Sequence, residues 1–222
     1  MTTPAGLTRH DIARRAAKDL PDSSYVNLGV GIPTLVAGMP TPDREIFFHS
    51  ENGVLGMGPP PPAGEEDPNL INASRSPITL LPGASIFHHT DAFIMIRGGH
   101  IDVALLGAFQ VSVTGDLANW TTREAIPGVG GAMDLAAGAK QVRVLMEHTT
   151  RDGAPKIVER CTYPLTAPSV VRRIYTDLAV IDVVPEGLVV RELAPGVEFD
   201  DVRGRTGCRL TLAPDWRRIA LS

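Results

Sequence analysis

Cysteine is scarce in this sequence. Cys161 and Cys208 are the only two among 222 residues, too few for a disulfide scaffold and without metal-ligand spacing. Both read as free thiols in a reducing compartment. Aromatic residues make up 5%, which leaves no stacking platform for nucleic-acid bases. Neither sign of charge dominates: 21 Lys and Arg oppose 25 Asp and Glu, for a net charge of −4. The basic residues do not cluster, and Arg172-Arg173 and Arg217-Arg218 read as solvated surface pairs, so no nucleic-acid partner is expected. No apolar run reaches membrane-spanning length, and Met1-Thr2-Thr3-Pro4-Ala5-Gly6 has no basic segment leading into an apolar one. No membrane association is expected, and the location implied is cytoplasmic. His88, His89, Asp91 and His100 lie close in sequence but lack the HxH or HxxxH spacing of a metal site, so no metal is expected.

Loop-formers are plentiful instead, with 22 Gly and 19 Pro in a chain that is 43% hydrophobic. That mixture suits one generous domain, 1–222, in which tight loops surround a sheet. Thr8 followed by Asp11 predicts a capped helix, continued by Ile12, Ala13, Ala16, Ala17 and Leu20 and stopped by Pro21. A strand over 25–28 runs into Gly29-Val30-Gly31 and then a helix with Pro33 in its first turn. A second strand, 45–49, is followed by a long irregular passage with four prolines over 59–62. Strands are expected over 78–81, 101–106 and 142–147, the last two apolar enough for burial on both faces. A short helix is expected over 91–97, a polar loop over 115–120 and a glycine loop, Pro127-Gly128-Val129-Gly130-Gly131, opening another helix. Strands 178–184 and 188–192 flank Pro185-Glu186-Gly187, a hairpin signal. A helical segment over 197–202 and a short strand over 210–212 complete the chain. The class predicted is α/β, with strands feeding glycine loops in the first two thirds and a partly antiparallel remainder.

One stretch concentrates the chemistry: Phe48-His49-Ser50-Glu51-Asn52-Gly53-Val54-Leu55-Gly56. An apolar strand ends there in a small polar cluster, and Asn52 and Gly53 both accept positive φ, so the chain should turn sharply after Glu51. A carboxylate at the carboxyl end of a buried strand stands where open α/β sheets place their ligand sites. Turn chemistry alone also fits a hairpin corner with an exposed acid. His49 is expected as a satisfied wall residue. Other readings fail on their motifs. Gly29-Val30-Gly31 lacks the third glycine of a dinucleotide fingerprint. Ser50 lacks the Gly-x-Ser-x-Gly elbow, and no second acid pairs with Glu51 in sequence as a glycosidase requires.

The nine residues 48–56 resemble the active-site signature of the B (β) half of family I CoA-transferases, the group that includes 3-oxoacid and 3-oxoadipate CoA-transferases. Further segments resemble the family in order. They are Asn27-Leu28-Gly29-Val30-Gly31-Ile32-Pro33-Thr34, 67–73, Leu81-Pro82-Gly83-Ala84, 95–102, 107–111, Gly115-Asp116-Leu117-Ala118-Asn119-Trp120, Gly130-Gly131-Ala132-Met133-Asp134-Leu135, Met146-Glu147-His148 and Thr206-Gly207-Cys208. Segment 121–125 fits least, and no role attaches to it. The resemblance implies the CoA-transferase fold, shared with sugar-phosphate isomerases: a mixed, largely parallel central sheet flanked by helices. It implies Glu51 as the nucleophile of a ping-pong reaction through a glutamyl-CoA thioester, held in its turn by Ser50, Asn52 and Gly53. Gly29, Gly31, Asn119, Gly130 and Gly131 become candidates for oxyanion or CoA and acyl contacts. It implies no permanently bound cofactor, with coenzyme A as substrate carrier, and succinyl-CoA as the expected donor. A separate A subunit is the implied partner, in an α₂β₂ assembly, with 57–62 as a candidate interface. Two competing readings use the same residues: an acyl-CoA hydrolase acting through Glu51, and a non-enzymatic ligand-binding domain. The acceptor acid is open between acetoacetate and 3-oxoadipate. Arg97, the candidate for a distal carboxylate, is better explained by an ion pair.

Overall fold

The computed structural model describes residues 6–41, 43–122 and 128–220. The leader reading at Met1 to Ala5, most of segment 121–125 and the start of the second glycine loop at Pro127 lie outside the described residues. Helix α1 (Arg9–Ala17) begins as the sequence predicts. The Thr8 hydroxyl accepts from the Asp11 N–H, and the Asp11 carboxylate accepts from the Thr8 N–H. Strand β1 (Ser24–Leu28) follows, then a 3-10 helix (Ile32–Gly38) where an α-helix was expected. Gly31 offers no capping side chain and Pro33 no N–H at that start, so the short segment closes on tighter bonds, such as Thr34 N–H to Gly31 carbonyl at 3.2 Å.

Next come β2 (Ile46–Ser50), β3 (Val54–Met57), β4 (Leu80–Ile86) and α2 (His89–Arg97). Then β5 (Val103–Leu106), β6 (Gln110–Ser112) and β7 (Leu117–Ala118) precede α3 (Ala132–Gly138), β8 (Gln141–Leu145) and β9 (Ile157–Val158). The chain ends with β10 (Val171–Tyr175), β11 (Ala179–Val184), β12 (Gly187–Leu193), α4 (Phe199–Gly204) and β13 (Leu210–Arg218).

Ten strands form one sheet in the order β13-β12-β11-β10-β8-β5-β1-β2-β3-β4. Its centre, β10-β8-β5-β1-β2, is parallel. Antiparallel strands extend it at both ends, β3 and β4 beyond β2, and β11 and β12 beyond β10. The hairpin expected at Pro185-Glu186-Gly187 joins β11 to β12. Three expectations change. The strand predicted to stop at Leu81 continues through Pro82 and Gly83, and the one predicted over 210–212 runs on through Pro214 to Arg218. Both are edge strands, where a proline need not donate to a neighbour. The polar loop 115–120 contains β7, whose Leu117 and Ala118 are fully buried and pair with β6.

The parallel centre is apolar and closed to water: Val26, Val103, Ala104, Leu105, Val144 and Ile174 have no exposed surface. Helix α1 lies across it and brings charge inside. Arg15 forms a two-bond pair with Glu192, at 2.6 and 2.8 Å, and reaches Asp19 at 2.7 Å. Asp19 in turn accepts from Arg173 and from the Tyr175 hydroxyl, each at 2.7 Å. Mutual pairing of this kind is what lets such charges stay buried.

Candidate active site

The chain leaves β1 toward β2 on one side and continues through β5 and β8 on the other. At such a reversal the loops after neighbouring strands part and leave a crevice. Here the crevice is a cleft of about 940 Å³, and its walls are the strand ends and glycine loops: Glu51 after β2, Gly31 after β1, Gly107 after β5, Glu147 after β8, and Gly130 and Gly131 ahead of α3.

Glu51 occupies a hairpin corner between β2 and β3, whose register pairs Ser50 with Val54. The corner reading and the nucleophile reading therefore describe one geometry. The Gly53 N–H closes the turn on the Ser50 carbonyl at 3.0 Å. Gly53 has φ +114°, and a Cβ there would sit 2.1 Å from the Phe87 carbonyl oxygen. Asn52 stays out of the positive-φ region and anchors the turn differently: its Nδ2 donates to the Ile71 carbonyl at 2.7 Å. Ser50 Oγ accepts from the Ala73 N–H at 2.9 Å. Segment 71–73 thus clamps the corner from outside, and the Glu51 side chain is left half-buried in the cleft wall.

Among the described residues the carboxylate has one side-chain partner, Asn27 on β1, whose Nδ2 donates to Glu51 Oε2 at 3.1 Å. Parallel pairing sets Asn27 opposite His49, and the same Nδ2 lies 3.0 Å from His49 Nδ1. Burial pushes the His49 imidazole down to about 4, so the ring is neutral near pH 7. Its Nδ1 accepts, which leaves the proton on Nε2. His49 Nε2 and Asn27 Oδ1 are both buried without a partner among the described residues. His49 is thus a wall residue, as expected, but only half satisfied. Turning the Asn27 amide over would aim its oxygen at a carboxylate, so electrostatics favours the orientation found.

The glycines divide. The Gly29 N–H donates to the Leu105 carbonyl at 2.8 Å, and a Cβ at Gly29 would stand 3.1 Å from Leu105 O and from Leu106 Cδ2. Its donor belongs to the sheet, so Gly29 provides close packing rather than an oxyanion contact. Gly31 has φ +92° with open space around it, and its N–H has no acceptor among the described residues. Gly130 has φ +58°. A Cβ on Gly131 would come 2.9 Å from Phe93 Cζ and 3.9 Å from Glu51 Cγ, so that backbone passes beside the carboxylate. Asn119 lines the cleft with its amide engaged at both ends: Nδ2 donates to the Gly107 carbonyl at 3.1 Å, and Oδ1 accepts from Thr166 Oγ1 at 2.6 Å.

Arg97 pairs with Asp134 at 2.7 Å, as the ion-pair reading expects. His88 caps α2 by accepting from the Thr90 N–H. Among the described residues no group of His, Cys, Asp and Glu is arranged to hold a metal ion, and no helix is long and apolar enough to cross a membrane. Both cysteines are free thiols. In 57–62, Met57 is buried in β3, whereas Pro59, Pro60 and Pro62 are exposed. Sequence reasoning assigned no role to Asn27 or to Lys156, which also lines the cleft. Asn27 did leave a signal, an amide in the middle of an apolar strand.

The class these features define is matched by a family model described as Coenzyme A transferase, which covers residues 9–204. The chain belongs to the coenzyme A transferase family and is an enzyme of that class. It is 56% identical over 206 residues to the B component of the 3-oxoadipate CoA-transferase of Acinetobacter baylyi, an alignment covering 92% of this chain and 95% of that one. It is 49% identical to the B component of a Helicobacter pylori succinyl-CoA:3-ketoacid coenzyme A transferase, covering 89% and 96%. It is 48% identical to the human mitochondrial succinyl-CoA:3-ketoacid coenzyme A transferase 2, where it covers 94% of itself but 41% of the longer human chain. In fold it resembles an acyl-CoA transferase from E. coli O157:H7 solved as a thioester complex with CoA. The TM-score is 0.77 at 22% identity, over the whole of this chain and 44% of that one.

Proposed function

We propose that this chain is the catalytic B component of a 3-oxoacid-type CoA-transferase that carries CoA as a thioester on Glu51. The observation that supports this most directly is the Glu51 carboxylate itself. It stands on a tight corner in the wall of the strand-end cleft and is oriented by a buried amide. A Glu51 oxygen attacks the thioester carbonyl of the donor acyl-CoA. The C–S bond breaks, leaving a mixed anhydride and the CoA thiolate. The thiolate attacks the Glu51 carbonyl carbon, the donor acid departs as its carboxylate, and a glutamyl-CoA thioester remains. The acceptor carboxylate then attacks that thioester, and the released thiolate takes the acceptor acyl group, which restores Glu51.

Each attack builds charge on an oxygen, and a fixed backbone donor there is worth about 3–4 kcal/mol. Gly31 and the Gly130-Gly131 loop are the candidates. Similarity to the B components from Acinetobacter and Helicobacter supports a separate A subunit as supplier of the rest of the pocket, and the assembly we propose with it is α₂β₂. The same relatives support succinyl-CoA as donor and a 3-oxo acid, 3-oxoadipate or a related 3-keto acid, as acceptor.

The test uses the chain assembled with its A subunit. Treatment with donor acyl-CoA and then borohydride should reduce a Glu51 thioester to the alcohol, with the matching mass change on that peptide. Glu51→Gln should abolish both transfer and the mass change. Undiminished transfer by Glu51→Gln sinks the mechanism. Steady CoA release from acyl-CoA without any acceptor acid would instead mark a hydrolase.

A further inference from the structure

The cleft has a second charged end. Beyond β8 the chain runs through Met146, Glu147 and His148, and Lys156 returns beside it. The Lys156 N–H donates to the His148 carbonyl at 3.2 Å, and the Lys156 carbonyl accepts from the Val111 N–H at 3.0 Å. These bonds fix the base of a half-buried side chain that lines the same cleft as Glu51. Arg9 lines it too, but its guanidinium is held by Glu147 Oε1, at 2.8 Å from Nε and 2.7 Å from Nη2.

Lys156 has no such partner. Its ammonium makes no hydrogen bond, and no carboxylate oxygen lies within 4.0 Å of it among the described residues. Burial lowers its pKa, while Glu147 and Asp177 pull the other way from farther off. A half-buried cation lacking a contact partner is costly unless an anion completes it. The sheet order puts the end of β8 three strands from the end of β2, on the order of 14 Å away. Lys156, docked on the segment that leaves β8, thus belongs to the β8 side of the cleft and Glu51 to its β2 side.

We propose that Lys156 binds an anionic group that the acyl-CoA substrate carries away from its thioester, and so fixes which end of the substrate meets Glu51. This rests on the reading of Glu51 as the nucleophile. An anionic substrate approaching an anionic nucleophile is repelled, and a cation at the far end offsets that repulsion while orienting the thioester. The group is a carboxylate at the tail of a dicarboxylic acyl chain or a phosphate of CoA.

Four thioesters separate these sources in the assembled enzyme: succinyl-CoA, butyryl-CoA and the two corresponding pantetheine thioesters, which lack phosphate. Lys156→Met should lower kcat/KM for transfer roughly ten- to a hundredfold on substrates bearing the recognised anion, the loss expected for a charge-assisted hydrogen bond. Lys156→Arg should recover most of it. A loss confined to both succinyl thioesters assigns the acyl carboxylate, and a loss confined to both CoA thioesters assigns a phosphate. An equal loss on all four, or no loss on any, overturns the proposal. A purely structural role would lower all four together, and melting temperature and A-subunit assembly of each variant check that it is folded. Failure of the Glu51 reading shows separately, as wild-type enzyme that transfers CoA with no mass change on the Glu51 peptide.

Discussion

Asn27 offers the sharpest test of how the nucleophile is held. Its Nδ2 lies 3.1 Å from Glu51 Oε2 and is the only side-chain donor to that carboxylate among the described residues. Asn27→Asp keeps the shape and exchanges the donor for a second carboxylate. At 3.1 Å and an effective dielectric near 20, two such charges repel by about 5 kcal/mol. Glu51 is half-buried rather than enclosed, and discounting for solvent leaves about 3 kcal/mol, or roughly two pH units. The pair should therefore retain one shared proton in weak acid and lose it as the pH approaches neutrality. Loading of Glu51 with CoA, followed by mass spectrometry in single turnovers, should be slower at pH 5.5 than at pH 7 by roughly tenfold more than in wild type, and should recover as the pH rises through that interval. Asn27→Leu removes the donor without adding charge. It should cost about 1.5–3 kcal/mol, or roughly ten- to a hundredfold, with an upward shift of the pH profile smaller than that of Asn27→Asp. Melting temperature and assembly with the A subunit control for misfolding, since Asn27 is fully buried. A folded Asn27→Asp enzyme that loads at the wild-type rate, with an unchanged pH profile, refutes the reasoning.

What the sequence made legible was mostly local. The Thr8–Asp11 capping box, the turn at Pro185-Glu186-Gly187 and the positive-φ glycine after Glu51 each depend on residues a few positions apart, and each stands in the structure as read. The resemblance over 48–56 pointed to a chemistry for Glu51 beyond what turn propensity allowed. Strand extent was less legible. Pro82 and Pro214 look like terminators until the sheet order makes both strands edges. Across-strand contacts were not legible at all. Asn27 and Glu51 are separated by 24 positions and meet only because β1 and β2 pair in parallel with Asn27 opposite His49. Lys156 is more remote still, and it reaches the cleft because its backbone docks on His148. Gly29 lines the cleft, but as an oxyanion donor it departs from the expectation. A glycine in a strand-end loop looks like a free backbone donor, but its N–H is already taken by the Leu105 carbonyl.

Two further expectations follow from the same packing. Gly53→Ala places a Cβ 2.1 Å from the Phe87 carbonyl at φ +114°. It should destabilise the chain by at least about 2 kcal/mol, lower the melting temperature by roughly 4–8 °C and impair CoA loading, because the corner that carries Glu51 must move. A melting temperature within a degree of wild type would show that the turn tolerates an ordinary residue. The second expectation concerns acid. His49 and His148 are held near pKa 4 by burial, against 6.5 when free, and His148 is enclosed between the Thr176 and Thr206 hydroxyls at 3.0 and 2.9 Å. Below pH 6.5 the unfolded chain takes up protons that the folded chain refuses, so stability falls as the pH drops toward 4 and is unaffected by these groups above about 7. At pH 5 each histidine should have removed about 2 kcal/mol. The buried Asp19 and Glu192 have lowered pKa values, and their stabilisation is lost only nearer pH 4 and below, which leaves the pH 7 to 5 interval to the histidines. Urea midpoints at pH 7 and pH 5 measure the fall, and His148→Gln should flatten it by roughly half while lowering stability at pH 7. An identical fall in wild type and His148→Gln would mean that His148 is protonated inside the fold, contrary to its enclosure.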